Sequence, residues 1–260
     1  MQQSTIYPDI NMLLQRLLSD MQVTLGDKLA GLYLYGSAVA GDFLAGVSDV
    51  DLLAAIYSDL DPAEFDALDT MHDRLVRDTP QWEGRIEIAY LSLHGLRTFK
   101  TQSSRIGIIS PGEPFHIIDA GNDWSVNWYM VQEIGVTLFG PEPTTIIEPI
   151  SKAEFIEVVK NHALGWRNWV KDIRDHPGQS YAIITMCRAL YTVTHGQQVS
   201  KVHAATWAAQ ELPEWSSLIR DALRWRETSR DAGDERMENS DSTLAEAQRF
   251  VNFMSDQVLL

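Results

Sequence analysis

The chain has 260 residues, of which 45% are hydrophobic, and a formal net charge of −15. This length and apolar content exclude an intrinsically disordered chain and suit one large or two small domains. The negative charge argues against a nucleic-acid partner, whose phosphates require basic residues, and it is compatible with a cationic substrate. Solubility alone accounts for an acidic surface equally well, so the charge does not decide between the two.

The expected location of the protein is the cytoplasm. Cys187 is the single cysteine, so no intramolecular disulfide can form and a reducing compartment is expected. No stretch approaches about 18 uninterrupted apolar residues, which predicts that no segment crosses a membrane. The N-terminus lacks the basic region and the long apolar run of a secretory signal.

The first half of the chain alternates helical and strand patterns. The helices are predicted at residues 9–25 and 61–78, the second one opened by a capping box of Asp61 and Glu64. The strands are predicted at residues 31–35, 50–56 and 85–91, with a short one at 115–118 among the turns of residues 100–125. This order predicts an α/β domain with a mixed sheet over residues 1–150.

The second half of the chain is helical throughout. A capping box at Ser151 opens a helix that His176-Pro177-Gly178 is expected to break. Further helices are predicted up to Gly196, from Ser200 to Leu212, from Pro213 or Glu214, and from Thr243, with a polar loop at residues 231–241. Residues 151–260 therefore predict an all-α domain built as a helical bundle.

A Gly-Ser turn followed by two alternating acids predicts a phosphate- and metal-binding site. Gly36 ends the first strand, where the backbone can turn without a Cβ clash. Ser37 then offers a hydroxyl and backbone N–H groups to a phosphate oxygen. Asp49 and Asp51 alternate with Val50, so both project from one face of the next strand.

Glu87 supplies a third carboxylate from the following strand. It lies between Ile86 and Ile88, and it can point towards the aspartates if the two strands are neighbours. Three carboxylates at this density repel each other unless a cation lies among them, and hard oxygen ligands suit Mg²⁺. Two such ions, about 3.5–4 Å apart, can clamp an in-line displacement, and Glu87 is then a candidate general base. Solvated strand-end acids are the alternative reading.

These residues resemble the nucleotidyltransferase superfamily. The resemblance is carried by Gly36-Ser37, an eleven-residue gap and Asp49-Val50-Asp51-Leu52. The run from Leu34 to Gly41 is similar to the aminoglycoside adenylyltransferases that modify streptomycin and spectinomycin. A second match runs from Cys187 to Trp207, and together the two matches resemble the aminoglycoside (3'')(9) adenylyltransferase family.

The resemblance implies adenylylation of an aminoglycoside hydroxyl, on streptomycin, spectinomycin or both, with ATP as co-substrate, Mg²⁺ as cofactor and pyrophosphate released. Catalysis and metal binding are then assigned to Asp49, Asp51 and Glu87. Nucleotide binding is assigned to Gly36, Ser37, Ser48, Arg188 and Lys201. Two alternatives stay open: Arg188 and Lys201 as solvated helix charges, and Ser48 as a cap of its own loop.

The acceptor-binding residues implied by the resemblance are Trp169, Asp172 and Asp175. Trp169 falls where streptomycin-modifying relatives carry a tryptophan against the substrate, although a core role is equally open. Gly178 aligns with a substrate-binding acid of those relatives. Asp172 and Asp175 are the candidates to take the role of that acid in this chain. The alternative functions are a different small-molecule or protein acceptor, and a regulatory relative that binds nucleotide without turnover.

Overall fold

The structure is a computed structural model that describes residues 4–228 and 241–260. The chain divides into two compact units, Met1–Ile150 and Ser151–Leu260. The first unit mixes strands and helices, and the second is helical. The predicted fold class, an α/β part with a mixed sheet followed by an all-α part, is confirmed.

A six-stranded sheet organises the first unit. Its strands are β1 (Leu29–Tyr35), β2 (Val50–Ile56), β3 (Ile86–Ser92), β4 (Ser104–Ser110), β5 (Glu113–Ala120) and β6 (Val136–Phe139). They lie in the order β5-β4-β3-β2-β1-β6. The β2–β3 pair is parallel and the other neighbouring pairs are antiparallel, so the sheet is mixed.

The helices of the first unit cover the sheet and its ends. They are α1 (Pro8–Leu25), α2 (Ser37–Ala40), α3 (Pro62–Asp78), α4 (Leu93–Thr98), α5 (Ser125–Ile134) and α6 (Pro143–Ile146). The predicted capping box of α3 is present: Asp61 Oδ1 accepts from the Glu64 amide at 2.9 Å, and Glu64 Oε2 accepts from the Asp61 amide at 2.8 Å. Such reciprocal bonds satisfy two amides that the helix itself leaves without partners.

The two faces of the sheet differ in chemistry, and this difference positions the site. Apolar side chains of α1 and α3 form one buried cluster with alternate residues of the central strands, among them Leu52 and Ile88. Because strand side chains alternate between faces, Asp51 and Glu87 project from the opposite face. The alternation of apolar and acidic residues in β2 and β3 thus separates the core from the site.

The prediction for residues 100–125 was incomplete, because β4 and β5 form an antiparallel hairpin there. Gly107, interpreted as a turn residue, lies inside β4. A Cβ on Gly107 would lie 2.9 Å from Leu60 Cδ1 and 3.1 Å from Phe115 Cζ. This glycine therefore makes room for neighbouring side chains within a strand rather than turning the chain. The sequence reading also missed α5 and β6.

The second unit has, within its described residues, five α-helices, of which the second is the central one. They are α7 (Lys152–Trp169), α8 (His176–His195), α9 (Lys201–Glu211), α10 (Ser216–Thr228) and α11 (Asp241–Gln257). The four others all contact α8. Cys187 on α8 is fully buried, and burial raises the pKa of its thiol, as fits a small core residue.

Two predicted helix boundaries were wrong. The first helix of this unit ends at Trp169, and His176-Pro177-Gly178 begins α8 instead of breaking the helix before it. Proline is tolerated in a first turn because its missing N–H would have no partner there. The last helix begins at Asp241, two residues before the predicted cap Thr243. The predicted loop lies, apart from Asp241, outside the described residues.

No helix within residues 4–228 and 241–260 combines the length and the apolar character needed to cross a membrane.

Candidate active site

Asp49, Asp51 and Glu87 come together beside the centre of the sheet. One carboxylate oxygen from each lies within 4.8 Å of the other two, and all three side chains are partly exposed. Asp51 and Glu87 are register partners in the parallel β2–β3 pair, and Asp49 lies one residue before β2. The structure thus brings together the three acids that the sequence pattern singled out.

The three carboxylates fit a hard divalent cation. Two like charges at this separation repel by about 3 kcal/mol at an effective dielectric constant of about 20. A cation between them removes that repulsion, and an all-oxygen donor set is the one that Mg²⁺ prefers. The acids are well suited to hold Mg²⁺.

The Gly-Ser turn lies directly against one of these acids. Gly36 has φ of 72° and ψ of −150°, and a Cβ there would lie 1.9 Å from Asp51 Oδ2. Glycine is therefore required both by the backbone and by the space. Ser37 begins α2, and its Oγ is buried with no hydrogen-bond partner among the described residues. This hydroxyl belongs to the residue next to the Gly36–Asp51 contact, and its bonding capacity is unused.

Ser48 caps its own loop, which is one of the two roles considered for it. Its side chain is buried, and its Oγ accepts from the Leu44 amide at 3.0 Å, which closes the loop before Asp49. Its carbonyl oxygen accepts from Arg85 Nε at 3.1 Å and from Arg85 Nη2 at 2.7 Å. The Arg85 guanidinium also lies 4.8 Å from the centre of the Trp82 ring. These contacts stabilise the loop that immediately precedes Asp49.

Tyr35 is a residue of the site that sequence reasoning missed. It is the last residue of β1 and the register partner of Asp51, so both side chains project from the same face. Burial raises the pKa of Tyr35 well above its ordinary value, and the charges of Glu87, Asp51 and Asp49 add to this effect. The sequence contained a signal for this position. Tyr35 follows Leu34 in the strand, and Leu34 belongs to the core, so the Tyr35 side chain projects from the opposite face.

Arg188 and Lys201 lie in the second unit. Arg188 is a partly buried residue of α8, and Lys201 is the first residue of α9. The predicted cap of α9 is present, since Ser200 Oγ accepts from the His203 amide at 3.1 Å. Lys201 Nζ lies 5.3 Å from the centre of the Tyr181 ring. Both cations therefore stand on well-formed helices.

Trp169 is not a core residue. Its side chain is 52% exposed at the end of α7, and its ring centre lies 5.3 Å from that of Trp166 and 5.2 Å from that of His162. The two edge-on contacts hold the indole while leaving much of its surface open. An exposed, supported aromatic ring of this kind suits contact with a ligand.

Asp172 and Asp175 are the two acids proposed to take the role of the relatives' acid that aligns with Gly178. Their surroundings differ. Asp172 is exposed between α7 and α8. Asp175 is the N-cap of α8, where its Oδ1 accepts from the Gly178 amide at 2.7 Å. A Cβ on Gly178 would lie 2.8 Å from that same oxygen and 2.7 Å from Ile173 Cγ2. The cap formed by Asp175 thus leaves no room for an acidic side chain at position 178.

Comparison with known proteins agrees with this architecture. A family model for the C-terminal domain of aminoglycoside adenylyltransferases matches residues 145–257. Aminoglycoside (3'')(9) adenylyltransferases from Klebsiella pneumoniae, Shigella flexneri and Escherichia coli are 26% identical to this chain over 215 residues. Each alignment covers 75% of this chain and 76% of the relative.

The fold is also that of a solved structure, the spectinomycin adenyltransferase AAD(9) from Enterococcus faecialis with ATP and spectinomycin. The match has a TM-score of 0.73 and covers 96% of this chain and 99% of the other, at 14% sequence identity. At that identity the likeness shows a shared fold. Together with the family model and the curated relatives, it supports a nucleotidyltransferase enzyme that is similar to the aminoglycoside (3'')(9) adenylyltransferases.

Proposed function

We propose that this protein transfers the adenylyl group of ATP to a hydroxyl of an aminoglycoside and releases pyrophosphate. The observation that carries the proposal is the convergence of Asp49, Asp51 and Glu87 beside the Gly36-Ser37 turn. The relatives are named for activity on aminoglycosides, and the solved neighbour was crystallised with ATP and spectinomycin. The class of acceptor and the co-substrate in this proposal are taken from these proteins.

Asp49, Asp51 and Glu87 are proposed to hold Mg²⁺, as a pair of ions. Bound there, Mg²⁺ would neutralise charge on the triphosphate and polarise the phosphorus that is attacked. The positions of the carboxylates are set by the pairing of β2 with β3 and by the loop that hydrogen bonds of Ser48 and Arg85 stabilise. This preorganisation means that little rearrangement is needed when substrate arrives.

Ser37, Arg188 and Lys201 are proposed to bind the phosphates. The buried Ser37 hydroxyl can donate to a phosphate oxygen, and Gly36 keeps the turn free of a side chain beside Asp51. The assignment of Arg188 and Lys201 depends on the resemblance of their sequence segment to the family. Two cations would balance the charge of the triphosphate that the metal leaves unneutralised.

Glu87 is proposed as the general base. It lies beside the two aspartates on a neighbouring strand, where it can take the proton of the acceptor hydroxyl as that oxygen attacks the α-phosphorus. The new phosphorus–oxygen bond forms as the bond to pyrophosphate breaks. A positioned base of this kind contributes about 10²–10⁴-fold to the rate.

The acceptor is proposed to be streptomycin, spectinomycin or both. These are cationic molecules, and a chain with a net charge of −15 concentrates cations around itself. The exposed Trp169 and Asp172 are the proposed contacts to the acceptor, whereas Asp175 acts first as the cap of α8. Since the reaction consumes ATP, we propose that it takes place in the cytoplasm.

The test incubates the purified protein with ATP, Mg²⁺ and either streptomycin or spectinomycin, and follows pyrophosphate release together with the mass of the antibiotic. We expect the mass of at least one of them to increase by one adenylyl unit, and no increase with the Asp49→Asn variant. ATP binding without pyrophosphate release for either antibiotic would contradict the proposal. That result would favour another acceptor, or a regulatory relative without turnover.

A further inference from the structure

The Tyr35 side chain has a buried polar group that the proposed reaction does not use. The residue is 4% exposed, and its hydroxyl has no hydrogen-bond partner within residues 4–228 and 241–260. Buried hydroxyls almost always have a partner, so this exception requires an explanation. Tyr33, two residues earlier on the same face, shows the usual arrangement, because its hydroxyl donates to the Pro141 carbonyl oxygen at 2.7 Å.

The Tyr35 side chain lies on the same face of the sheet as two of the carboxylates. Tyr35 is paired with Asp51 across β1 and β2, and Asp51 is paired with Glu87 across β2 and β3, so the three residues form a row on one face of the sheet. Neighbouring strands lie about 4.8 Å apart, and a tyrosine side chain is long enough to extend from β1 past Asp51 towards Glu87.

The acids also decide which hydrogen bond this hydroxyl can make. A tyrosine phenol ordinarily has a pKa of about 10, so Tyr35 keeps its O–H to donate at neutral pH. The Asp51 and Glu87 carboxylates on this face offer acceptor oxygens.

We propose that Tyr35 is a positioning residue of the acidic site, and that its hydroxyl donates a hydrogen bond to the Glu87 carboxylate when the site holds a divalent cation. The proposal rests on the proposed function, since it assigns a support to the same three acids. One Glu87 oxygen would be held by Tyr35, and the other would be left for the ion or for the acceptor proton. Outer partners of this kind orient the ligands that touch the metal.

The test uses the Tyr35→Phe variant, with Mn²⁺ alone as the probe and neither ATP nor aminoglycoside present. Electron paramagnetic resonance of free Mn²⁺ gives the dissociation constant, and thermal unfolding without metal gives the stability. Loss of an outer partner typically weakens metal binding by about 10–100-fold, so we expect at least about tenfold weaker Mn²⁺ binding. Without metal, the variant should be no less stable than the parent, because the lost hydroxyl had no partner.

Tyr33→Phe is the matched control. It removes a hydroxyl from the same strand and the same face, but one that is bonded to Pro141 away from the acids. We expect this variant to be less stable without metal and to bind Mn²⁺ as the parent does. The opposite responses of the two variants separate a role at the site from a role in packing.

Three outcomes decide the matter. Equal Mn²⁺ affinity in Tyr35→Phe and the parent overturns the inference, while adenylylation by the parent would still support the proposed function. Weaker Mn²⁺ binding in Tyr35→Phe supports the inference even if the parent adenylylates neither antibiotic. A parent protein that binds no Mn²⁺ at millimolar concentration overturns both the role of Tyr35 and the metal site itself.

Discussion

Gly36 and Asp51 approach each other so closely that a Cβ on Gly36 would lie 1.9 Å from Asp51 Oδ2. The turn after β1 and the acid on β2 are therefore in contact, and neither can change without moving the other. The antiparallel pairing of Tyr35 with Asp51 enforces this approach. The glycine of the Gly-Ser turn thus serves the placement of a proposed metal ligand as well as the bend of the chain.

Gly36→Ala is expected to lower turnover as severely as loss of Asp51, because the new methyl group displaces that carboxylate. The backbone conformation adds strain of about 1–3 kcal/mol. Gly26→Ala is the matched control: its φ of 54° and ψ of −131° are similar, and nothing lies within 4 Å of its would-be Cβ. Pyrophosphate release and urea unfolding of both variants check this. Equal turnover losses in the two would mean that strain, and not the contact with Asp51, is responsible.

Asp49→Asn and Asp51→Asn are expected to abolish turnover and yet to stabilise the metal-free protein. Each change removes one of three negative charges that lie within 4.8 Å of one another. Removal of a like charge relieves repulsion when no cation is present, whereas the metal ligand is lost. Turnover at fixed Mg²⁺ and thermal unfolding in a chelator measure the two effects. The exposed acid Glu83, changed to Gln, is the control that should leave both unchanged. Near-parental turnover in either aspartate variant would rule out the assigned metal role.

Glu87→Gln is expected to lower the catalytic rate by about 10²–10⁴-fold while ATP and the aminoglycoside still bind. The amide keeps the size of the side chain and one acceptor oxygen, but it cannot take a proton. Single-turnover kinetics measure the rate, and calorimetry measures the two affinities. Parental turnover in Glu87→Gln would show that another group is the base. Loss of ATP binding would show that Glu87 acts chiefly as a metal ligand.

The stability of the first unit is expected to fall in mild acid because of His72. Its ring is buried, Nε2 lies 2.8 Å from the Tyr90 hydroxyl oxygen, and burial lowers the pKa of His72 to about 4. An unfolded histidine has a pKa of about 6.5, so between these values the unfolded chain binds a proton that the native protein excludes. The free energy of unfolding therefore decreases as pH falls through this window, by up to about 1.4 kcal/mol per pH unit.

Urea unfolding of the parent and of His72→Gln between pH 7.5 and pH 5 tests this expectation. We expect the variant to be less stable at neutral pH but its stability to depend less steeply on pH, because the group that titrates is gone. His94→Gln removes a solvent-exposed imidazole and serves as the control. Identical pH slopes in the parent and His72→Gln would show that other groups cause the acid sensitivity.

Much of the candidate site could be predicted from local patterns. The alternation of Asp51 with Val50, and of Glu87 with its isoleucines, identified the face of each strand. Capping boxes likewise marked the starts of α3 and α7. These signals work because side-chain periodicity and helix capping depend on residues only a few positions apart. Turn and helix-breaker signals, by contrast, failed at Gly107 and at His176-Pro177-Gly178, because glycine and proline have more than one structural use.

The sequence by itself determined the strands β1, β2 and β3, which acids leave the core, and that a glycine precedes Ser37. Only the tertiary structure decided that β1 pairs antiparallel with β2, which places Tyr35 opposite Asp51 and Gly36 against its carboxylate. Likewise, only the structure shows that Asp175 caps α8 and fills the space beside Gly178. The physical reason is that periodicity is a property of a short segment, whereas strand partners, register and available space depend on residues far apart in the chain.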